Sequence, residues 1–213
     1  MTGMLAQQRA HPGDADSVLT GLITQTPLTI IDAPGTTIYS EGSVTDAIYM
    51  VAYGCILLWN ATPVGTRHVS GFVLPGEVFG WESEETHQHS AETVIPSGLR
   101  MITTDQNQRD DRLYVDQFVP TLVHLQEQLI IISRPTAEAR VAAFLVNLCE
   151  RQHSEHRLSL PMHRLDIAEY LGLSPETVSR VLSRFRAMHL IEITDLHTLE
   201  IPNIAELSEI FDE

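Results

Sequence analysis

Apolar and polar residues alternate in short runs over the first half of the chain. Between residues 28 and 102, short stretches rich in β-branched and aromatic residues are separated by glycine and proline turn signals such as Pro75-Gly76 and Pro96-Ser97-Gly98. Many short strands at close spacing are typical of a barrel or a sandwich. This half therefore predicts a β-rich domain, with strands at 36–39, 47–51, 55–59, 68–74 and 91–95.

The apolar spacing changes to a helical period at Tyr114. Apolar residues then recur at steps of four and three, which is the seam pattern of paired helices. The seam consists of Phe118, Leu122, Leu125, Leu129 and Ile132. A single amphipathic helix packed on its own domain would show the same spacing, but we expect a parallel helix pair that joins two subunits. Pro135 ends the helix because proline disfavours the α conformation in the preceding residue.

A pattern typical of two helices crossing through a tight turn follows a further predicted helix at 136–152 and a polar loop at 152–157. Ala168 is small where the helices would cross, and Gly172 can adopt the positive φ of the turn. Ser174 suits the N-cap of the second helix and Pro175 its first position. The predicted apolar contacts between the helices are Ile167, Leu171, Leu173, Val178 and Val181. Residues 190–194 and 198–201 then predict a β-hairpin, and Asn203 caps a last helix at 204–211.

The net charge of −15 at pH 7 runs against a general nucleic-acid binder, because phosphate binding usually requires a basic excess. Residues 175–190 differ, since they hold Arg180, Arg184 and Arg186 against only Glu176. The second helix of the pair would expose hydrogen-bonding side chains to a major groove. We assign base readout to Glu176, Ser179 and Arg180, and contacts with the DNA backbone to Thr177, Ser183, Arg184 and Arg186.

Other functional classes find little support. The chain has no apolar run of membrane-spanning length and no signal-peptide pattern, so we expect a cytoplasmic protein without a membrane partner. Cys55 and Cys149 form no CxxC pair, which leaves buried free thiols as the expectation and a redox role open. His87 and His89 would point the same way on a strand, as two metal ligands must, although solvated loop histidines are the simpler interpretation. No enzyme chemistry is predicted.

These motifs resemble the family of the cyclic-AMP receptor protein and the fumarate-nitrate reduction regulator (CRP/FNR), over nearly the whole chain. The resemblance is most specific in 140–145, in 160–173 and in Glu176-Thr-Val-Ser-Arg180, which matches the recognition helix of the FNR and FixK branch. Gly35 to Gly42, Gly54 and Pro75-Gly-Glu-Val-Phe-Gly80 are similar to the family's β-roll. The resemblance implies an α+β fold with a tail (1–20), a jelly-roll sensor domain (21–113), a dimerisation helix and hinge (114–134) and a winged helix-turn-helix (135–213).

This sequence departs from the family's nucleotide-binding pattern. Relatives that bind cyclic nucleotides carry an arginine that neutralises the phosphate, and the resemblance puts His89-Ser90 at that place in this sequence. Glu77, His89 and Ser90 are therefore the candidate residues of an effector pocket. We expect this pocket not to use cyclic AMP. Two cysteines cannot hold the four-cysteine iron-sulfur cluster of FNR. No cofactor is predicted; haem stays open without support.

The resemblance implies a homodimeric regulator of transcription, expected to be an activator, that binds double-stranded DNA and RNA polymerase. Its branch implies an inverted repeat of TTGAT-like half-sites. The alternative is a haem- or metal-dependent gas or redox sensor, in which a ligand of the roll controls DNA binding.

Overall fold

The computed structural model describes residues 26–45, 47–62, 65–82, 85–103, 111–195 and 197–212. The expected tail at 1–20 lies outside these residues. The first half of the described chain forms two antiparallel sheets with strand orders β1-β8-β3-β6 and β2-β7-β4-β5, which we call the roll. Its strands are β1 (Leu28–Ile31), β2 (Thr37–Tyr39), β3 (Ala47–Tyr53), β4 (Ile56–Ala61), β5 (Arg67–Val73), β6 (Val78–Phe79), β7 (Ser90–Thr93) and β8 (Ser97–Thr103).

The alternation of apolar and polar residues explains the roll, because successive side chains on a strand point to opposite faces. Val51, Ile56 and Leu99 are buried in a core that both sheets supply. One prediction was wrong: β8 begins at Ser97, where the sequence indicates a turn. The β3–β4 turn crosses this point, and Gly54 there has φ +96° and no room for a side chain against Ser97.

Two helices connect the roll to the C-terminal part. Helix α1 (Asp111–Ser133) begins three residues before Tyr114 and ends before Pro135. Helix α2 (Ala137–Arg151) is capped by Thr136, whose hydroxyl accepts the Ala139 N–H at 3.0 Å. Its apolar residues Val141, Phe144, Leu145 and Leu148 are buried. No helix among the described residues is long and apolar enough to cross a membrane.

The C-terminal part contains the predicted helix pair and a small sheet. Its elements are β9 (Arg157–Ser159), α3 (Arg164–Leu171), α4 (Pro175–Ala187), β10 (Glu192–Ile193), β11 (Thr198–Glu200) and α5 (Ile204–Asp212). The predicted hairpin is β10–β11, but β9 adds a third strand in the order β10-β11-β9. The sequence shows this strand only as the end of a polar loop, since Leu158 alone among its residues is buried.

One apolar core runs from the roll into the C-terminal part. Leu57, Val69 and Phe72 of the roll share it with Phe144 of α2 and Tyr170 of α3. The Phe72 ring lies 5.3 Å from that of Tyr170 and 6.2 Å from that of Phe144, measured between centroids. The two halves of the chain therefore pack directly on each other.

Candidate nucleic-acid interface

The turn between α3 and α4 is built as the sequence predicts. Gly172 has φ +64°, the left-handed conformation that glycine adopts without strain. The N–H of Leu173 donates to the carbonyl of Ala168 at 2.8 Å, which closes the end of α3. The Ser174 hydroxyl then accepts the Thr177 N–H at 3.2 Å, and Pro175 occupies the first position of α4. These bonds fix the angle between the two helices.

Apolar contacts hold α4 firmly on the body of the molecule. Ala168 is completely buried at the crossing, and four of the five predicted contact residues are also buried. The fifth, Leu173, is half-buried against the same core. Because one side of α4 is anchored in this way, its opposite side presents a rigid polar surface.

The three residues assigned to base readout all lie on that polar surface. Glu176, Ser179 and Arg180 are exposed, at positions i, i+3 and i+4 of α4. Hydrogen bonds from the backbone N–H of Glu176 and from the Ser174 hydroxyl lower the pKa of the Glu176 carboxyl below its ordinary value. It is therefore ionised at neutral pH and can accept from a cytosine amino group.

The residues assigned to the DNA backbone lie beside them, but three already have partners within the chain. The Thr177 hydroxyl lies 3.1 Å from the Ser174 hydroxyl. The Ser183 hydroxyl donates to the Ser179 carbonyl at 2.8 Å. Arg184 Nη1 is 3.0 Å from Glu138 Oε1 of α2, in an exposed ion pair. Exposed pairs contribute only about 0–1 kcal/mol, so a phosphate could replace Glu138 at small cost. Arg186 is exposed and Thr177 half-buried.

A groove of about 430 Å³ lies between α4 and the hairpin, and it adds a residue that sequence reasoning missed. Arg164, the first residue of α3, lines it together with Ser179, Ser183 and Arg186 of α4. Two arginines, one from each helix of the pair, thus line one groove beside the reading surface. Arg164 is separated from α4 by the length of α3 and the turn, so the crossing of the two helices is needed to bring it to this groove.

Helix α1 exposes most of the predicted seam. Leu122, Leu125 and Leu129 are 42%, 49% and 63% exposed, whereas Ile132 is half-buried. The side chain of Phe118 lies outside the described ones. Exposed Val119, Val123 and Ile130 widen this apolar face beyond the predicted positions. A face of this kind in a single chain marks an interaction surface.

The candidate effector residues are held apart by separate partners. Both oxygens of the Glu77 carboxylate accept from Arg151 of α2, at 2.8 and 2.7 Å, and one also accepts the Leu74 N–H at 2.9 Å. His89 Nε2 lies 3.1 Å from the Tyr39 hydroxyl, and the Ser90 hydroxyl accepts the Glu41 N–H. Among the described contacts, none joins Glu77 to His89 or Ser90.

The histidines at 87 and 89 differ in burial: His89 is half-buried, whereas His87 is not the solvated loop histidine of the simpler interpretation. His87 is almost fully buried and stacks on Tyr39 with 3.6 Å between ring centroids. Both imidazoles lie near Glu82 Oε1, at 3.3 and 3.7 Å, but neither histidine lies on a strand, as the metal-site prediction assumed, because β7 begins at Ser90. Burial lowers the pKa of His89, and its ring is therefore neutral at pH 7. In the described part of the chain, no group of three metal-binding side chains could hold an ion.

Both cysteines are buried and free. Burial raises the pKa of the Cys149 thiol to about 11 and that of Cys55 further still. Since the thiolate is the reactive form, both side chains are unreactive at neutral pH in this structure. They serve as small apolar residues of the core.

Comparisons with known proteins agree with the geometry. Residues 139–210 match the family described as the Crp-like helix-turn-helix domain, and residues 33–109 match the cyclic nucleotide-binding domain. The nitrogen fixation regulation protein FixK of Rhizobium meliloti is 39% identical over 168 residues, which cover 79% of this chain and 80% of that protein. The transcriptional activatory protein AadR of Rhodopseudomonas palustris is 33% identical over 75% of this chain and 72% of its own length.

A solved structure extends the similarity to the whole fold. FixK2 from Bradyrhizobium japonicum superimposes with a TM-score of 0.80 at 28% identity, and the match covers 87% of this chain and 96% of that one. The helix-turn-helix, the roll and the sequence similarity lead to one conclusion. The chain belongs to the CRP/FNR family and is a FixK-like, DNA-binding regulator of transcription.

Proposed function

We propose that this regulator binds, as a homodimer, an inverted repeat of TTGAT-like half-sites spaced about one helical turn apart. The observation that carries the proposal is the exposed polar face of α4, anchored by a buried apolar face. The match of Glu176-Thr-Val-Ser-Arg180 to the recognition helix of the FNR and FixK branch supports the half-site. Activation is proposed because relatives such as AadR bear the name of activators.

Within each half-site, Arg180 would bond guanine O6 and N7, Glu176 would accept from a cytosine amino group, and Ser179 would contact a base edge or a thymine methyl. Neighbouring side chains would bind phosphates. To the predicted Thr177, Ser183, Arg184 and Arg186 we add Arg164, because it lines the same groove.

The dimer would form through α1. Its exposed apolar side chains need a partner, and a second copy of α1 offers a matching surface about a two-fold axis. Pairing two subunits in this way would place two α4 helices for two half-sites, as an inverted repeat requires.

The roll is better suited to an effector other than cyclic AMP, or to no effector at all, than to cyclic AMP. The Glu77 carboxylate is saturated by Arg151 and Leu74, and a neutral His89 beside Glu82 is a poor phosphate ligand.

We also propose the division into a tail (1–20), roll (21–113), dimer helix and hinge (114–134) and DNA-binding domain (135–213). The proposed location is the cytoplasm, and the proposed partner in activation is RNA polymerase.

Selection of bound sequences from random double-stranded DNA tests the proposal without assuming a target. The expected result is an inverted repeat whose half-sites contain a G·C pair flanked by T·A-rich sequence. Enrichment of unpaired half-sites would contradict the dimeric arrangement, and an unrelated sequence would contradict the assigned recognition helix.

A further inference from the structure

Arg67 of β5 ties the first helix of the helix-turn-helix to the roll. Its guanidinium contacts three carboxylates through three different nitrogens. Nη1 lies 3.0 Å from Glu92 of β7, and Nε lies 3.0 Å from Glu169 of α3. Nη2 donates to Asp166 of the same helix. One side chain of the roll thus holds two carboxylates of α3.

These contacts all fall on one face of α3. Asp166, Glu169 and Tyr170 stand at i, i+3 and i+4, and the Tyr170 ring packs on Phe72 of the roll. The other face, which includes the fully buried Ala168, packs on α4. Helix α3 therefore lies between the roll and the reading helix, and its position on the roll determines the direction of α4.

The charged part of this contact depends on Arg67. One guanidinium faces three carboxylates, and the Asp166 side chain is only 8% exposed. Asp166 also accepts the His163 N–H at the start of α3, at 3.2 Å. Without Arg67, three like charges would face each other where roll and helix meet, and they would push α3 away from the roll. The ion pair between Arg151 and Glu77 binds α2 and would not replace this contact.

We infer that Arg67 is a positioning residue for DNA binding. It holds α3, and through α3 the reading face of α4, at a fixed angle to the roll and to the dimer helix. This inference rests on the proposed dimer and its inverted repeat. A subunit whose helix-turn-helix is loosened still recognises one half-site. It loses the gain from two sites bound at once, because that gain depends on the second reading face being already in place.

The test compares two DNA duplexes, the full inverted repeat and the same duplex with one half-site scrambled. For Arg67→Ala we expect affinity for the full repeat to fall roughly tenfold, while affinity for the single half-site stays within about twofold of the parent. His68→Ala is the matched control, because His68 is the exposed neighbour on the same strand, and it should leave both affinities unchanged. The double variant Arg67→Glu with Glu169→Arg keeps the number of charges and should recover most of the loss.

The outcomes separate the inference from the proposed function. A parent protein that binds both duplexes equally would contradict the dimeric function, and the inference with it. A parent that prefers the repeat, together with an Arg67→Ala variant that keeps the same preference, would overturn the inference alone. An equal loss on both duplexes would also overturn it, because it would reveal a general defect of the domain.

Discussion

At the scale of single residues, Arg180 carries the sharpest expectation for base readout. Its guanidinium is exposed on α4, and its hydrogen bond within the chain, to the Thr177 hydroxyl, is long at 3.5 Å. Arg180→Ala should cost about 1–3 kcal/mol on the selected site and relax the preference at its G·C pair. Competition binding against DNA altered only at that pair measures the effect.

Arg186→Ala is the matched control, since both residues are exposed arginines of the same helix. If Arg186 contacts phosphate, its removal should weaken binding to all sequences alike and reduce the salt dependence. An Arg180→Ala variant that discriminates the G·C pair as well as the parent would show that another residue reads it.

The sequence was sufficient for the reading helix because its signals are local. Ser174, Pro175 and Gly172 specify caps and a turn through their own backbone preferences. Arg67 and Arg164 could not be found in this way. Arg67 lies 99 residues from Asp166 along the chain, and no local sequence pattern around either residue predicts that they form an ion pair.

At the scale of the elements, α1 should make the dimer. Leu125→Glu with Leu129→Glu would bury unpaired charge between the two helices, at a cost of several kcal/mol. The protein should then become monomeric and lose specific DNA binding together. Light scattering measures the first effect and binding to the selected repeat the second.

Gln126→Glu adds charge to the same helix at an exposed position between the two leucines, and it should leave the dimer intact. A double leucine variant that stays dimeric would remove α1 from the interface.

Element types followed from periodicity more readily than element boundaries or pairings. The change of period near Tyr114 predicted α1, and the alternating runs predicted most strands of the roll. The predicted strand ranges left out β1, β6, β8 and β9. Strand pairing decided β8 and β9, because β8 lies between β1 and β3, and β9 completes the sheet of the hairpin. A short, mostly exposed segment such as β9 becomes a strand only when a neighbour supplies hydrogen bonds.

At the scale of the whole molecule, the pair of Glu77 and Arg151 should stabilise the packing of the roll on α2. The Arg151 side chain is 9% exposed and that of Glu77 is 19% exposed. Glu77→Ala would leave a buried guanidinium without its carboxylate, and we expect the free energy of unfolding to fall by about 3 kcal/mol. Glu150→Ala, at the exposed residue next to Arg151 in the chain, should change the free energy of unfolding little. Denaturant unfolding measures both, and equal effects would contradict the role of the pair.

The ion pair of Glu77 and Arg151 also affects whether the roll can bind cyclic AMP. Because Arg151 occupies Glu77, and because His89 beside Glu82 is a poor phosphate ligand, DNA affinity should be the same with and without cyclic AMP. Titration calorimetry should detect no tight binding of the nucleotide. DNA binding that requires cyclic AMP would show that the roll rearranges to free Glu77.

The apolar core that Phe72, Phe144 and Tyr170 share has a thermodynamic consequence. The roll and the C-terminal part share many buried side chains, so the unfolding of either part would expose apolar residues of the other. We therefore expect both parts to unfold in a single transition. The two parts match different domain families, yet we expect them to unfold as one cooperative unit. A C-terminal fragment expressed alone would therefore expose an apolar surface that the roll covers in the whole chain.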